Sequence, residues 1–300
     1  MRSRMLPGLV AAFAIVASSL VVIHPAQATP ALPAPVACLG CWHPALNTSW
    51  EWELSVTPSA SAIASNTWGM WDIDGFDNTA ATVTGLHARS KVVCYISAGS
   101  YEGWRADAAS FPGSGQLNSS TPAKALLGIL GWKMSGWDER WLDVRDVQRA
   151  NSPLAAIMTA RVQMCKDKGF DAVEFDNVDG YSNPTGWPLT AADQIYYNAF
   201  LANLAHSKGL SAVLKNDQAQ IPSLLPYFDV ALNEQCWQYA ECTTAQNGGY
   251  GYDQFVSAGK AVFGVEYSIA TSKFCSKANA ANFNWLKKTL ALNTTRTACR

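Results

Sequence analysis

"DAVEFDNVDGY", residues 171–181, decides the fold. Successive side chains of a strand point to opposite faces. Val173 and Phe175 therefore share one side, and Ala172, Glu174 and Asp176 share the other. An unpaired charge in an apolar core is costly, so a strand with two acids on one side needs that side to face something wet or charged. A (β/α)8 barrel provides this. The inner faces of its strands line the axis, and their carboxyl ends converge on the rim where active sites lie. Val173 and Phe175 are then expected against the helix layer. Glu174 and Asp176 are expected toward the axis, Asp176 near the rim and Glu174 deeper, as a paired structural acid. Asp171 belongs to the solvated loop entering the strand, and Asp179 with Gly180 shapes the next turn. A calcium loop starting at Glu174 is disfavoured, because Val178 falls where a ligand should be.

Outward from this stretch, strand-like runs recur: "SWEWELSV" (49–56), "GMWDIDGF" (69–76), "KVVCYIS" (91–97), "RWLDVR" (140–145), "DAVEFDN" (171–177), "SAVLKND" (211–217), "DVALNEQ" (229–235) and "AVFGVEY" (261–267). Stretches with helical spacing separate them. "SPLAAIMTARVQMCKDKG" opens with Ser152 and Pro153, an N-cap and a first helical position, and both it and "AADQIYYNAFLANLAHSKG" end in Lys-Gly, a C-cap signal. Eight strand–helix units imply an α/β protein with one closed (β/α)8 barrel of the TIM type. An open doubly wound sheet would carry a Gly-rich phosphate fingerprint after an early strand, and none is present. On this count Asp176 and Glu234 end the fifth and seventh strands. Most runs end polar, at Asp74, Ser97, Arg145, Asp176, Lys215, Glu234 and Glu266. In "WLDVR", Leu142 and Val144 are expected outward and Trp141, Asp143 and Arg145 inward.

The rest of the chain sets the context. Arg2 and Arg4, the apolar run "LVAAFAIVASSLVVI" and "AQA" ending at Ala28 read as a secretory signal peptide over residues 1–28. Residues 29–46 form a Pro-rich lead-in, expected to be poorly ordered, and 47–300 form the barrel domain. Loss of Arg2 and Arg4 moves the net charge from −1 to −3. No basic patch suggests nucleic acid, and no second apolar run could span a bilayer. A secreted, extracellular monomer is expected. Eight cysteines in a secreted chain suggest disulfides. Cys38/Cys41 and Cys236/Cys242 are close in sequence, and Cys236–Cys242 is the expected bridge, restraining the segment after Glu234. Cys94 reads as simply buried. These pairs lack zinc-site companions and histidines are few, so no metal and no cofactor are expected.

Carboxylates at the ends of different strands suit general acid, base or nucleophile roles, and glycoside hydrolysis is the commonest use of two such acids in a barrel. Arg145 and Lys215 are candidates to favour the ionised partner. A Ser/His/Asp triad is disfavoured: no G-x-S-x-G occurs, and His206 sits in a helix. Tyr101, Trp104, Trp132, Trp137, Tyr181 and Trp187 flank strand ends as flat surfaces for sugar rings, with ordinary core packing as the competing role.

"WDIDGFD", "KVVCYISAGSYEGWRADAASFP", "GWDERWLDVR", "GFDAVEFDNVDGYSNPTGWPLT", "GLSAVLKND", "FDVALNEQC" and "GKAVFGVEY" resemble the motif series of glycoside hydrolase family 114, from about Trp50 to Cys299. The resemblance implies a (β/α)8 endo-α-1,4-polygalactosaminidase cleaving internal bonds of galactosamine-containing polysaccharide. It maps the catalytic acids onto Asp176 and Glu234. The family's more common "EPDN" reads "EFDN" here, with Phe175 on the helix-facing side. Asp74, Tyr95, Trp104, Asp143, Arg145, Asn177, Tyr181, Lys215, Glu266 and Tyr267 are the substrate-binding candidates. De-acetylated galactosamine is cationic, so a ring of Asp74, Asp143, Asp176, Glu234 and Glu266 would attract it. Two other readings stand beside this one: hydrolysis of another α-linked galactose or hexosamine polymer, and carbohydrate binding without turnover.

Overall fold

The computed structural model describes residues 30–300; the expected signal peptide lies outside the described residues. Eight parallel strands curl around one axis: β1 (Trp50–Glu53), β2 (Met70–Asp74), β3 (Lys91–Ser97), β4 (Ala172–Asp176), β5 (Ser211–Lys215), β6 (Val230–Glu234), β7 (Val262–Glu266) and β8 (Asn284–Lys288). They are hydrogen-bonded in that order, and a short antiparallel strand, Arg296–Ala298, adds to β8. Side chains bridge from β8 back to β1. Lys288 Nζ lies 2.7 Å and Arg296 Nε 3.1 Å from the Glu51 carboxylate, and the Trp50 indole donates to the Asn284 carbonyl.

The period of two sorts the core into two layers. Trp50, Trp52, Met70, Val93, Ala172, Val213 and Leu232 pack inside the barrel. Trp71, Ile73, Val173, Phe175, Ala212 and Leu214 pack outside it against the helices. The two long helices start and stop where their caps dictate. Ser152 accepts from the Ala155 amide ahead of Pro153–Lys168, and Gly169, at φ +90°, ends that helix. Thr190 and Asp193 form a reciprocal capping box ahead of Ala191–Ser207.

One strand is not where the pattern put it. The run 140–145 is not in the barrel. Glu139–Leu142 pairs antiparallel with Ser100–Glu102 and with Leu130–Lys133, forming a small sheet inserted between β3 and β4. The eighth barrel strand is instead Asn284–Lys288, whose two terminal lysines disguise it. Leu142 and Val144 do join the outer core, but Asp143 caps a short 3-10 turn at 144–148 and folds back onto Arg145. Asp176 and Glu234 thus end the fourth and sixth strands, still with one strand between them.

All eight cysteines are paired: Cys38–Cys41, Cys94–Cys165, Cys236–Cys242 and Cys275–Cys299. The Cys236–Cys242 bridge is as expected. Cys94 is buried but not merely buried, since it ties β3 to the helix beginning at Pro153. The lead-in is docked rather than loose. Val36 donates its amide to Asn203, its carbonyl meets His206 Nδ1, and Tyr227 donates its hydroxyl to the Pro33 carbonyl. Among the described residues no helix is long and apolar enough to cross a membrane.

Candidate active site

A cleft of ≈ 960 Å³ opens over the carboxyl ends of the strands, with Asp176, Lys215 and Glu234 on its floor. The backbone delivers these three in the same way. Each ends a strand, and each is followed by a residue in the left-handed region: Asn177 at φ 61°, Asn216 at φ 53° and Gln235 at φ 68°. Asn visits this region more readily than most residues, because its short polar side chain bonds locally. Here Asn177 donates to Ser97, and Asn216 accepts from the Glu234 amide. Beside Asp176, the amides of Ala98 and Gly99 both donate to its carbonyl, and any Cβ at Gly99 would sit 1.6 Å from the Asn177 carbonyl oxygen. Only glycine fits that crossing.

Lys215 is the hub. Its ammonium lies 3.0 Å from Asp176 Oδ1, 3.1 Å from Glu234 Oε2 and 3.4 Å from Glu174 Oε1. Burial works against its charge, but Asp176, Glu234 and Glu174 together outweigh that and hold its pKa well above the usual lysine value. A phenol completes each outer carboxylate. Tyr95 donates to Asp176 Oδ2 at 2.8 Å, and Tyr267 donates to Glu234 Oε1. Burial, followed by the neighbouring carboxylate, pushes both phenols up, so they stay donors. With one oxygen of each acid on the same nitrogen, at 3.0 and 3.1 Å, those oxygens are at most about 6 Å apart, below the ~6.5–9.5 Å of inverting glycosidases.

Below this layer, Glu174 is fully buried and accepts from the Trp52 indole at 3.2 Å, a paired acid as expected. At the wall, Trp104, Trp132 and Trp137 line the cleft, joined by Trp52 and Trp141. Trp104 and Trp137 are the exposed ones, 57% and 58%. Trp132, Trp137 and Trp141 belong to the inserted sheet or its turn.

Several candidates belong elsewhere. Asp143 is gripped by Arg145 through two bonds, at 2.7 and 2.8 Å, and neither borders the cleft; Arg145 lies over Trp187 instead. Glu266 is fully buried behind the site, accepting from the Trp237 amide. Tyr181 and Trp187 do not border the cleft, and Tyr101 packs edge-on against Phe111 beneath the inserted sheet. Asp74 does border it, but Arg105 clamps both its oxygens, at 3.0 and 2.6 Å. Of the five acids, Asp176 and Glu234 are the two that border the cleft without an arginine clamp. The cleft keeps an acidic excess through other residues: Asp77, Glu102, Glu139 and Asp179 join Asp74, Asp176 and Glu234, against Arg105, Lys124, Lys133 and Lys215. Burial raises Glu139 to about 7, even though it accepts from Ser100. The period-2 pattern of "ERWL" could have found Glu139, but only with the inserted sheet recognised.

Comparison with known proteins identifies the family. A crystal structure of Aspergillus fumigatus Ega3 in complex with galactosamine superposes with a TM-score of 0.73 at 36% identity, covering 88% of this chain and 99% of that one. The glycoside hydrolase domain of PelA from Pseudomonas aeruginosa shares the fold, at a TM-score of 0.59 and 15% identity over 83% of this chain and 98% of that one. No curated protein matches the sequence. The model of glycoside-hydrolase family GH114 matches residues 33–300. The chain belongs to that family and is a glycoside hydrolase.

Proposed function

We propose that this protein is a secreted endo-acting hydrolase of α-1,4-linked galactosamine in galactosaminogalactan-type polysaccharide, with Asp176 as nucleophile and Glu234 as acid/base. The observation that carries the catalytic reading is the ammonium of Lys215 shared between the two carboxyl groups. A single ammonium cannot neutralise both carboxylates, which favours an arrangement with one acid ionised and the other holding a proton. The Asp176 carboxylate attacks C1 of the sugar as the C1–O bond breaks, and Glu234 passes its proton to the departing oxygen. Glu234 then takes a proton from water, whose oxygen attacks C1 and releases Asp176.

The substrate class rests on charge and on similarity. The acidic excess of the cleft suits a polymer carrying ammonium groups, and the similar Ega3 structure contains galactosamine. Internal cleavage suits a cleft of ≈ 960 Å³ in which exposed Trp104 and Trp137 offer stacking faces to flanking sugars. Four disulfides fit an oxidising, extracellular setting. Mass spectrometry of products from defined galactosamine oligomers in labelled water tests this. Internal cuts between galactosamine units, with label in the new reducing end, are expected. Equal cleavage of neutral galactan would shift the reading to another α-linked polymer, and binding without any new reducing end would make this a binding protein.

A further inference from the structure

Beneath the catalytic pair lies a carboxyl group with no evident use. Asp72 projects inward from the middle of β2, fully buried, and neither of its oxygens has a hydrogen-bonding donor. The Glu174 carboxyl of β4, equally buried, interacts with it directly. An ionised Asp72 would face Glu174 and Asp176, with only the Lys215 ammonium to offset them. Tyr95 and Tyr267 are neutral, and the Trp52 indole is already given to Glu174. An uncompensated carboxylate in such a place costs several kcal/mol at least, on the order of the penalty for any buried ion.

We propose that Asp72 is a positioning residue that works as a neutral carboxylic acid, donating its proton to Glu174 so that Glu174 stays ionised beneath Lys215. Burial and the Glu174 carboxylate push the Asp72 carboxyl well above its ordinary range, and burial raises Glu174 as well, to about 7. Glu174 faces the Trp52 indole and the Lys215 ammonium whereas Asp72 faces no donor, and that asymmetry places the shared proton on Asp72. The consequence is a chain of command: Asp72 holds Glu174, Glu174 holds Lys215 from below, and Lys215 spans Asp176 and Glu234.

The inference rests on the assignment of Asp176 and Glu234 as the catalytic pair, but its test does not depend on that assignment alone. Asp72→Asn supplies an amide N–H where the acid proton was. This variant should keep its turnover. Asp72→Ala removes the donor, Glu174 then takes up a proton itself and loosens its hold on Lys215, and kcat should fall by about tenfold with KM little changed. Glu174→Gln should lower kcat in the same way. Infrared difference spectra of wild type minus Asp72→Asn at neutral pH should show the carbonyl stretch of a protonated carboxylic acid. Absence of that band, or Asp72→Asn behaving like Asp72→Ala, would overturn the proposal. If instead Asp176→Asn and Glu234→Gln both retain turnover, the catalytic reading fails while the infrared band still decides where the proton lies.

Discussion

Two buried lysines end barrel strands three positions apart, Lys215 on β5 and Lys288 on β8, and they do different work. Lys288 is held by Glu51 at 2.7 Å and by the Asn293 carbonyl at 2.7 Å, with Arg296 on the other Glu51 oxygen. Burial lowers its pKa. Positive charge is in surplus there, and the cluster joins the last strand to the first. Lys215 is surrounded by three carboxylates, its pKa is raised, and it borders the cleft. The two lysines share residue type, depth and strand position. They differ in the balance of charge around them: Lys288, accompanied by Arg296, joins the last strand to the first, and Lys215, outnumbered by acids, borders the cleft between the two proposed catalytic acids.

The sharpest way to break this contrast is to remove the acids or the cation at the reactive end. Asp176→Asn and Glu234→Gln keep shape and lose proton-transfer and nucleophilic function, so each should lower kcat by about 10³-fold with little change in melting temperature. Lys215→Met should be comparably inactive. Near-normal turnover in any of the three takes that residue out of the site. At the other end, Lys288→Met should leave kcat unaltered at permissive temperature and cost about 3 kcal/mol of stability, read by urea denaturation. The lower end of the usual range applies because Arg296 still faces Glu51. A catalytic defect in Lys288→Met without destabilisation would erase the distinction.

Much of the contrast was hidden in the sequence, for a physical reason. A period of two gives the face of a strand residue but neither its depth nor its partner. It correctly turned Glu174 and Asp176 inward and Val173 and Phe175 outward. It also turned Asp143 and Arg145 inward, because "RWLDVR" alternates like a barrel strand while actually pairing antiparallel in the inserted sheet. "NWLKK" ends in two lysines, a residue type rarely found inside, yet Lys288 is buried. Asp74 and Glu266 end polar like the true site residues, but each is consumed by a local donor, Arg105 or the Trp237 amide. Asp72 stands two residues before Asp74 and drew no notice, since nothing in the sequence shows that it has no donor. A signal was available in the residues that follow Asp176, Lys215 and Glu234: Asn, Asn and Gln, which turn the chain left-handed at three strand ends.

Smaller effects sharpen the electrostatic side of the contrast. If the acidic excess of the cleft recruits ammonium groups, KM for a galactosamine oligomer should rise with added salt. It should depend far less on salt when the amines are acetylated. A salt-independent KM for the free amine would remove electrostatics from recognition. Glu139 offers a test through stability. Its carboxyl is raised from 4.5 to about 7 in the folded protein, so between those values the folded state binds more protons than the unfolded one. Its contribution is fully present below pH 4.5 and is lost as pH climbs to about 7. Glu139→Gln should therefore gain stability relative to wild type across that window and hold a constant difference above it. A difference that does not vary with pH would mean that Glu139 titrates normally.

The most direct test of the account is the stereochemistry of the first product. Carboxyl oxygens that share one ammonium lie at most about 6 Å apart, and the proposed mechanism takes that closeness to favour a covalent intermediate and net retention. Proton NMR of the anomeric signal during early turnover of an α-1,4-galactosamine oligomer reads this outcome before mutarotation obscures it. The account predicts that the α-anomer appears first and the β-anomer grows in later. Initial release of the β-anomer would mean inversion, and would remove Asp176 from the role of nucleophile.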